Sequence, residues 1–202
     1  MIFFHKNILK KMSKETRESS PNTISPKTVY LRKQENLQRQ LRSVNHFLNS
    51  NISISLINLI SQNKLKKNYK ELLKKQKKLI FNAKDLPKIS LGDFIYRIVC
   101  YSKIEDATLI SAIIILDRFC KKQKIILTEF NIHRLLFVSV LIAIKSYEDK
   151  YFTNTFYAKI CGIKTSVLNK LEYEFICSLD FQIYLDKNVY KKYQDLLLNS
   201  QE

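Results

Sequence analysis

Ten consecutive residues in the second half of the chain offer no polar face to water. Leu135 to Ile144 contains one polar residue, Ser139, within a segment whose spacing is helical. A helix that is apolar all round has to be covered on every side by other elements. The sequence therefore predicts a short central helix near residues 129–146, wrapped by four amphipathic helices.

Glycine and proline are too rare for a strand-rich fold. The 202 residues include 2 Gly and 3 Pro, and 46% of them are hydrophobic. From residue 86 onward, only Pro87, Gly92 and Gly162 interrupt the chain. β-Rich domains need more turn residues than this, and a chain of this length and apolar content can build a substantial core. The predicted fold class is all-α.

Hydrophobic periodicity and capping residues divide the main domain, which is expected to begin near residue 86, into six segments. The predicted helices span about 90–102, 106–121, 129–146, 153–161, 166–179 and 187–198. The expected caps are Ser90, Thr128, and either Thr165 or Ser166 at N-termini, and Gly162 at a C-terminus.

Positive charge is concentrated before the main domain. Residues 1–85 carry 19 Lys or Arg and 5 Asp or Glu, whereas residues 86–202 carry 16 and 13. The net charge of +17 therefore belongs mainly to an N-terminal extension. The favoured interpretation is a solvated Lys/Asn-rich segment, typical of AT-rich genomes and hence of a protist source. The alternative is an arm that binds nucleic acid or acidic protein surfaces.

Within this extension, residues 1–27 are polar and predict a disordered basic tail. Residues 28–85 predict a basic helical extension with a break at 49–51, and 64–80 form a basic amphipathic pattern. We expect the 64–80 helix to pack on the main domain with its lysines in water, although such a helix also suits a membrane surface or a partner's groove. The apolar positions are Leu37, Leu41, Val44 and Leu48 in the first piece, and Leu65, Tyr69, Leu72 and Leu73 in the basic pattern.

The sequence offers no pattern for catalysis, a cofactor or a metal. It contains no phosphate-binding loop, no nucleophile elbow and no His/Cys/Asp constellation. Three scattered His and four Cys without a CxxC pair make a zinc site improbable, and the thiols are expected to be reduced core residues of an intracellular protein. No apolar run reaches about 18 residues, so no membrane span is expected. We expect a protein of the nucleus or cytoplasm that is not an enzyme.

A set of ordered motifs resembles the cyclin box, a five-helix domain with a buried third helix. Its recurrent residues are matched by Arg97, Leu116-Asp117-Arg118, Lys145 and Glu172. The P/U-type subgroup adds motifs that are matched by Asn131-Ile132-His133-Arg134-Leu135-Leu136, Thr153-Asn154, Tyr157-Ala158-Lys159, Leu168-Asn169-Lys170-Leu171-Glu172 and Leu179-Asp180-Phe181. The match covers about residues 87–185. The resemblance predicts a single cyclin box over 86–186, followed by a C-terminal helix over 187–202.

The resemblance implies a regulatory subunit that binds and activates a cyclin-dependent protein kinase, in cell-cycle, division or nutrient control. Lys145 and Glu172 would bond the backbone of the kinase's regulatory helix, and an apolar pocket beside them would fix that helix. The implied pocket residues are Ile142, Phe181 and Ile183. On residue chemistry alone, the favoured interpretation of Lys145 is a side chain that reaches solvent and complements the negative end of its helix.

Three further residues receive roles from the resemblance. Arg97 and Asp117 are implied to form an ion pair inside the box that holds its first two helices together. Asp149 is implied to meet an arginine of the kinase activation segment, replacing charge otherwise supplied by phosphorylation. A solvated acidic turn is the alternative for Asp149.

A second class of function stays open at this point. Cyclin-like folds also occur in general transcription factors, so the basic arm could serve a nucleic-acid-binding module. The near-neutral main domain and the lack of a recognised DNA-binding pattern in the arm favour the kinase regulator.

Overall fold

The computed structural model describes residues 46–76 and 79–198. These residues fall in a compact unit that runs from Leu41 to Glu202. The predicted tail over 1–27 and the helical positions Leu37, Leu41 and Val44 lie outside the described residues. The predicted division of the chain at residues 85 and 186 stays a prediction.

The predicted all-α class is confirmed, because the described residues form eight helices and no strand. No helix in this part of the chain combines the length and apolar character that crossing a membrane requires. The helices are α1 (46–64), α2 (Tyr69–Gln76), α3 (Leu91–Ser102), α4 (Asp106–Gln123), α5 (Ile132–Tyr147), α6 (Asn154–Cys161), α7 (Thr165–Ser178) and α8 (Lys187–Leu198).

The central helix is α5, and it is covered as predicted by α3, α4, α6 and α7. Every residue from Leu135 to Ile144 is buried. Ser139 is tolerated there because its hydroxyl donates to the Leu136 carbonyl at 2.8 Å, which satisfies its only donor without water. α1 and α8 add Leu48, Ile52 and Leu197 to the same hydrophobic core.

The start of α5 corrects the prediction that Thr128 caps a helix from residue 129. Residues 128–131 form a turn, and the helix begins at Ile132. Asn131 stabilises this turn because its side chain accepts from the Thr128 amide at 2.8 Å and donates to the Ile126 carbonyl at 3.0 Å. An asparagine that bonds its own neighbouring backbone favours a turn over a helical first turn.

Two other helix ends, those of α3 and α6, agree with the predicted caps, whereas the start of α7 does not. Ser90 caps α3, since its hydroxyl accepts from the Asp93 amide at 3.1 Å and donates to the Asp93 carboxylate at 2.7 Å. Gly162 caps α6 as predicted, with φ of +74°. The N-cap of α7 is Lys164, without a side-chain hydrogen bond, so the expected cap at Thr165 or Ser166 is wrong by one residue or two.

The predicted break at 49–51 is also wrong, because α1 continues through it. Asn49 and Asn51 are buried, and Asn51 Nδ2 donates to the Leu197 carbonyl at 2.8 Å. Within the described residues of the basic pattern that follow α1, the short helix α2 is the one helix, and Gln76 anchors it by donating to and accepting from the Ile126 backbone at 3.0 and 2.8 Å. Leu65 lies in a turn and is 84% exposed, rather than on a packed face.

All four cysteines are free thiols, but they are not all core residues. Cys100 is exposed on α3, which corrects the expectation of apolar surroundings for each. Burial raises the pKa of the Cys120 and Cys161 thiols to about 12. Both therefore stay protonated near neutral pH, which makes them inert packing residues rather than nucleophiles.

Gly162→Ala should lower the free energy of unfolding by about 1 kcal/mol. Nothing lies within 4 Å of an added Cβ, so the cost comes only from the left-handed backbone. Gly92→Ala is the matched control: it sits in a helical turn and its Cβ meets the Ser53 hydroxyl at 3.4 Å. Urea unfolding of the control should show no decrease in the free energy of unfolding. An equal decrease in both variants would contradict this account of Gly162.

His133 should make stability depend on pH. Its Nε2 lies 3.2 Å from the Ile89 carbonyl, its ring packs on Phe94, and its Nδ1 is buried without a hydrogen-bond partner. Burial lowers the pKa of His133 below its usual 6.5, so the unfolded chain takes up a proton first as the pH falls. The contribution of neutral His133 to the free energy of unfolding is complete above about pH 6.5 and is lost as the pH falls toward the folded-state pKa.

Urea unfolding at pH 7.5 and 5.5 measures this effect. The free energy of unfolding should fall more between these values in the wild type than in His133→Gln. His46→Gln, at an exposed site in α1, is the control and should behave as the wild type does. Equal falls in the wild type and His133→Gln would show that this histidine does not couple folding to pH.

Candidate functional site

An ion pair joins the end of α5 to the middle of α7 at the surface. Lys145 Nζ lies 2.6 Å from Glu172 Oε1, and the two side chains are 30% and 19% exposed. Lys145 is in the last turn of α5, where the apolar helix leaves the core and where a cation complements the helix dipole. The structure thus places together the two charged residues on which the sequence-based prediction of a binding site depends.

The carboxylate of Glu172 is fixed by a second helix as well. Asn154, the first residue of α6, donates from Nδ2 to Glu172 Oε2 at 2.7 Å and to Asn169 Oδ1 at 2.8 Å. With Lys145 on one oxygen and Asn154 on the other, the carboxylate cannot rotate freely. Both asparagines belong to the motifs quoted above, yet sequence reasoning gave them no role at the site.

An apolar groove of about 380 Å³ runs beside this pair. Ile142 is 4% exposed and forms its floor, whereas Phe181 is 67% exposed and stands at its edge. The predicted pocket residues Ile142, Phe181 and Ile183 all line it. Tyr173 and Ile176, which the sequence analysis missed, line it too. A charged donor and a charged acceptor beside an apolar depression are groups that can bind a polypeptide.

A tight turn at the end of α7 holds Phe181 in place. The Asp180 amide donates to the Cys177 carbonyl at 2.9 Å, and the Phe181 amide donates to Ile176 at 3.1 Å. This is the Schellman pattern, which usually places glycine in the left-handed region. Here Asp180 and Phe181 adopt φ of 50° and 57° without being glycine. Strain at non-glycine residues is tolerated where the surrounding structure holds it.

α4 and α5 supply that support. Arg118 NH1 donates to the Gln182 carbonyl at 2.6 Å, and Lys122 pairs with Asp180 at 2.6 Å. From α5, the Tyr147 hydroxyl donates to the Ile183 carbonyl at 2.6 Å. The arginine of the Leu-Asp-Arg motif therefore positions the turn that forms one wall of the groove.

The predicted ion pair between Arg97 and Asp117 is corrected by the structure. Arg97 NH2 donates weakly to the Lys159 carbonyl at 3.4 Å, which links α3 to α6. Asp117 pairs with Lys121 at 2.6 Å and accepts from the Tyr193 hydroxyl at 2.5 Å. Tyr193 lies on α8, and it bonds the Asp117 carboxylate in place of Arg97.

Two adjacent acids after α5 have different surroundings. Glu148 Oε1 accepts from the Glu105 amide at 3.3 Å and the Thr108 hydroxyl at 2.5 Å, so this carboxylate is bound at the N-terminus of α4. Asp149 is exposed in the following bend and does not line the groove. The structure therefore leaves Asp149, rather than Glu148, available to an external cation.

Relieving the strained turn should stabilise the protein. Asp180→Gly should raise the free energy of unfolding by about 0.5–1 kcal/mol, because glycine adopts positive φ at no steric cost and the lost surface ion pair contributes little. Phe181→Gly should be neutral or stabilising for the same reason. Urea unfolding measures both. Gln182→Gly is the control and should destabilise, since Gln182 is not among the residues with positive φ.

Comparison with known proteins gives a consistent set of matches. A sequence model described as "Cyclin" matches residues 32–183. Cyclin-U3-1 of Arabidopsis thaliana is 34% identical over 111 residues, which are 55% of this chain and 50% of that protein. Cyclin-P3-1 of Oryza sativa subsp. japonica is 32% identical over 119 residues, 59% of this chain and 50% of that protein.

A fungal protein matches similarly. The PHO85 cyclin-like protein psl1 of Schizosaccharomyces pombe is 36% identical over 123 residues, 60% of this chain and 51% of that protein. The chain spans about half the length of the curated relatives it matches. The resemblance to P- and U-type cyclins is confirmed by these relatives, whereas the predicted protist source stays a prediction.

Proposed function

This chain belongs to the cyclin family, whose members are regulators rather than enzymes, and we propose that it binds and activates a cyclin-dependent-type serine/threonine kinase. The observation that carries the proposal is the Lys145–Glu172 pair, 2.6 Å apart beside an apolar groove. The process served would be cell-cycle or division control, or nutrient signalling.

The groove suits one helix of the kinase. Lys145 Nζ would donate to a backbone carbonyl of that helix, and Glu172 would accept from one of its amides. Because these contacts are made to backbone, they fix the position of the helix with little demand on its sequence. An apolar side chain of the helix would enter the depression over Ile142, against Phe181 and Ile183. The existing pair keeps both head groups ordered before binding, which reduces the entropy lost on association.

Activation would follow from differential binding. A kinase that exchanges between inactive and active positions of its regulatory helix is shifted toward the active one by a partner that contacts only that position well. Asp149 would add a contact to an arginine of the activation segment. Its exposure, and the engagement of Glu148 with α4, support Asp149 as the acid that performs this role.

The test is an affinity pull-down of the tagged chain from its own cells, read by mass spectrometry and a kinase assay. Lys145→Glu/Glu172→Lys keeps a charge pair within the protein but reverses donor and acceptor toward a guest helix. This variant should lose the kinase by at least about tenfold, as removal of buried charged contacts at an interface does. Phe181→Gly should also lose kinase while its unfolding free energy is kept.

Lys170→Glu/Glu174→Lys is the matched control, with the same charge exchange at exposed positions of α7. It should retain the kinase, and thermal melts should show that all variants fold. Recovery of the same kinase with the Lys145/Glu172 variant would sink the proposed function, and so would the absence of any kinase with the wild type.

A further inference from the structure

A second groove, of about 630 Å³, lies between α1, α4 and α8. It shares no lining residue with the groove at Lys145. Its surface is mainly aliphatic, and two of its leucines are well exposed: Leu59 by 41% and Leu196 by 58%. Apolar surface of this kind on a soluble domain marks an interaction site more often than scattered single residues do. Its aliphatic lining includes Leu56, Leu59, Ile113, Leu116, Leu196 and Leu197.

Two buried hydrogen bonds and one half-buried hydrogen bond hold the walls of this groove in place. Asn51 Nδ2 donates to the Leu197 carbonyl at 2.8 Å, which joins α1 to α8. Asn63 Nδ2 donates to the Leu127 carbonyl at 3.1 Å, and Tyr193 bonds Asp117 across α8 and α4. Because these bonds connect all three helices, the groove is preformed, and an occupant does not have to order it first.

The rim of the groove is positively charged. Lys66, Lys121 and Lys124 line it, and Asp117 is the one acid among its described lining residues. Lys121 is paired with Asp117 at 2.6 Å. Lys66 and Lys124 form no ion pair among the described residues, and both are exposed. Within the described part of the chain, the rim therefore presents two cations without an acidic partner above an aliphatic floor.

We propose that this groove docks a short acidic–apolar segment of a partner protein. Two or three aliphatic side chains of that segment would contact the leucines, while flanking Asp or Glu side chains would pair with Lys66 and Lys124. The proposal does not rest on the kinase role, because the two grooves are separate. It adds a recruitment surface for an acidic protein to a chain whose net charge is +17.

Charge argues against two other occupants of the groove, namely the chain's own residues 1–45 and a second copy of the chain. Residues 1–45 carry ten Lys or Arg and three Glu, so this segment would bring like charge to the lysine rim. A second copy of the chain would do the same with its own net positive charge. An acidic segment is the occupant whose charge complements both the rim and the whole protein.

The test uses the full chain and a fluorescein-labelled synthetic peptide, Asp-Glu-Leu-Leu-Asp-Glu-Ile-Leu-Asp-Glu, at 0.15 M salt. Fluorescence anisotropy should show saturable binding that is lost when the four aliphatic residues of the peptide are replaced by Ser. Lys66→Glu/Lys124→Glu should weaken binding at least about tenfold. Leu59→Ser and Leu196→Ser should each weaken it about fivefold without changing the charge; both sites are exposed, so the variants are expected to fold.

Lys88→Glu/Lys187→Glu is the charge-matched control at exposed positions outside the groove. It should change affinity by less than about twofold, which separates docking from general attraction to a basic protein. The proposal is overturned if the control loses as much affinity for the peptide as the Lys66/Lys124 variant does, or if the Ser-substituted peptide binds as tightly as the original peptide. Absence of peptide binding, which is the result expected if residues 1–45 covered the groove, also overturns the proposal. A dimer in sedimentation equilibrium that Leu59→Ser dissociates overturns it as well.

Discussion

The complete burial of residues 135–144 in α5 is the constraint on which the rest of the structure depends. A helix without a polar face can exist in water only when other elements cover it on all sides, so α3, α4, α6 and α7 are required rather than accessory. The same constraint fixes where function can be placed. On α5, titratable side chains occur only near the two ends: His133 and Arg134 bond backbone carbonyls in the first turn, whereas Lys145 in the last turn stands at the groove. The end of the core and the edge of the candidate site are therefore the same point in the molecule.

The candidate site is assembled from elements that each have a structural task as well. α6 begins at Asn154, which also orients Glu172, and α7 ends in a turn that also presents Phe181. The strained backbone at Asp180 and Phe181 is held by Arg118 and Tyr147, which come from two other helices. An exposed aromatic ring on a strained turn contributes little to folding, which is why its position points to a contact outside the chain.

The sequence predicted the all-α class, the central helix and most helix positions, because hydrophobic periodicity and local caps such as Ser90 and Gly162 carry that information. It failed where a side chain bonds distant or neighbouring backbone. Asn51 keeps α1 continuous by bonding α8, and Asn131 makes a turn where Thr128 was expected to cap a helix. The Lys145 groove was found through motifs, whereas the pairing of Asp117 with Tyr193 was not, since nothing local links residues on α4 and α8.

The hydrogen bond from Asn51 to Leu197 joins residues 146 positions apart. Contacts of such long separation close a large loop, which is slow and entropically costly compared with the local packing of α4 on α5. During synthesis on the ribosome, α1 emerges before the elements that it contacts in the finished protein, and the bond to α8 is the last of the described contacts that can form. Through that interval Leu48 and Ile52 lack the completed core that buries them in the finished protein. The first described helix thus reaches its final packing only when the last described helix has been made.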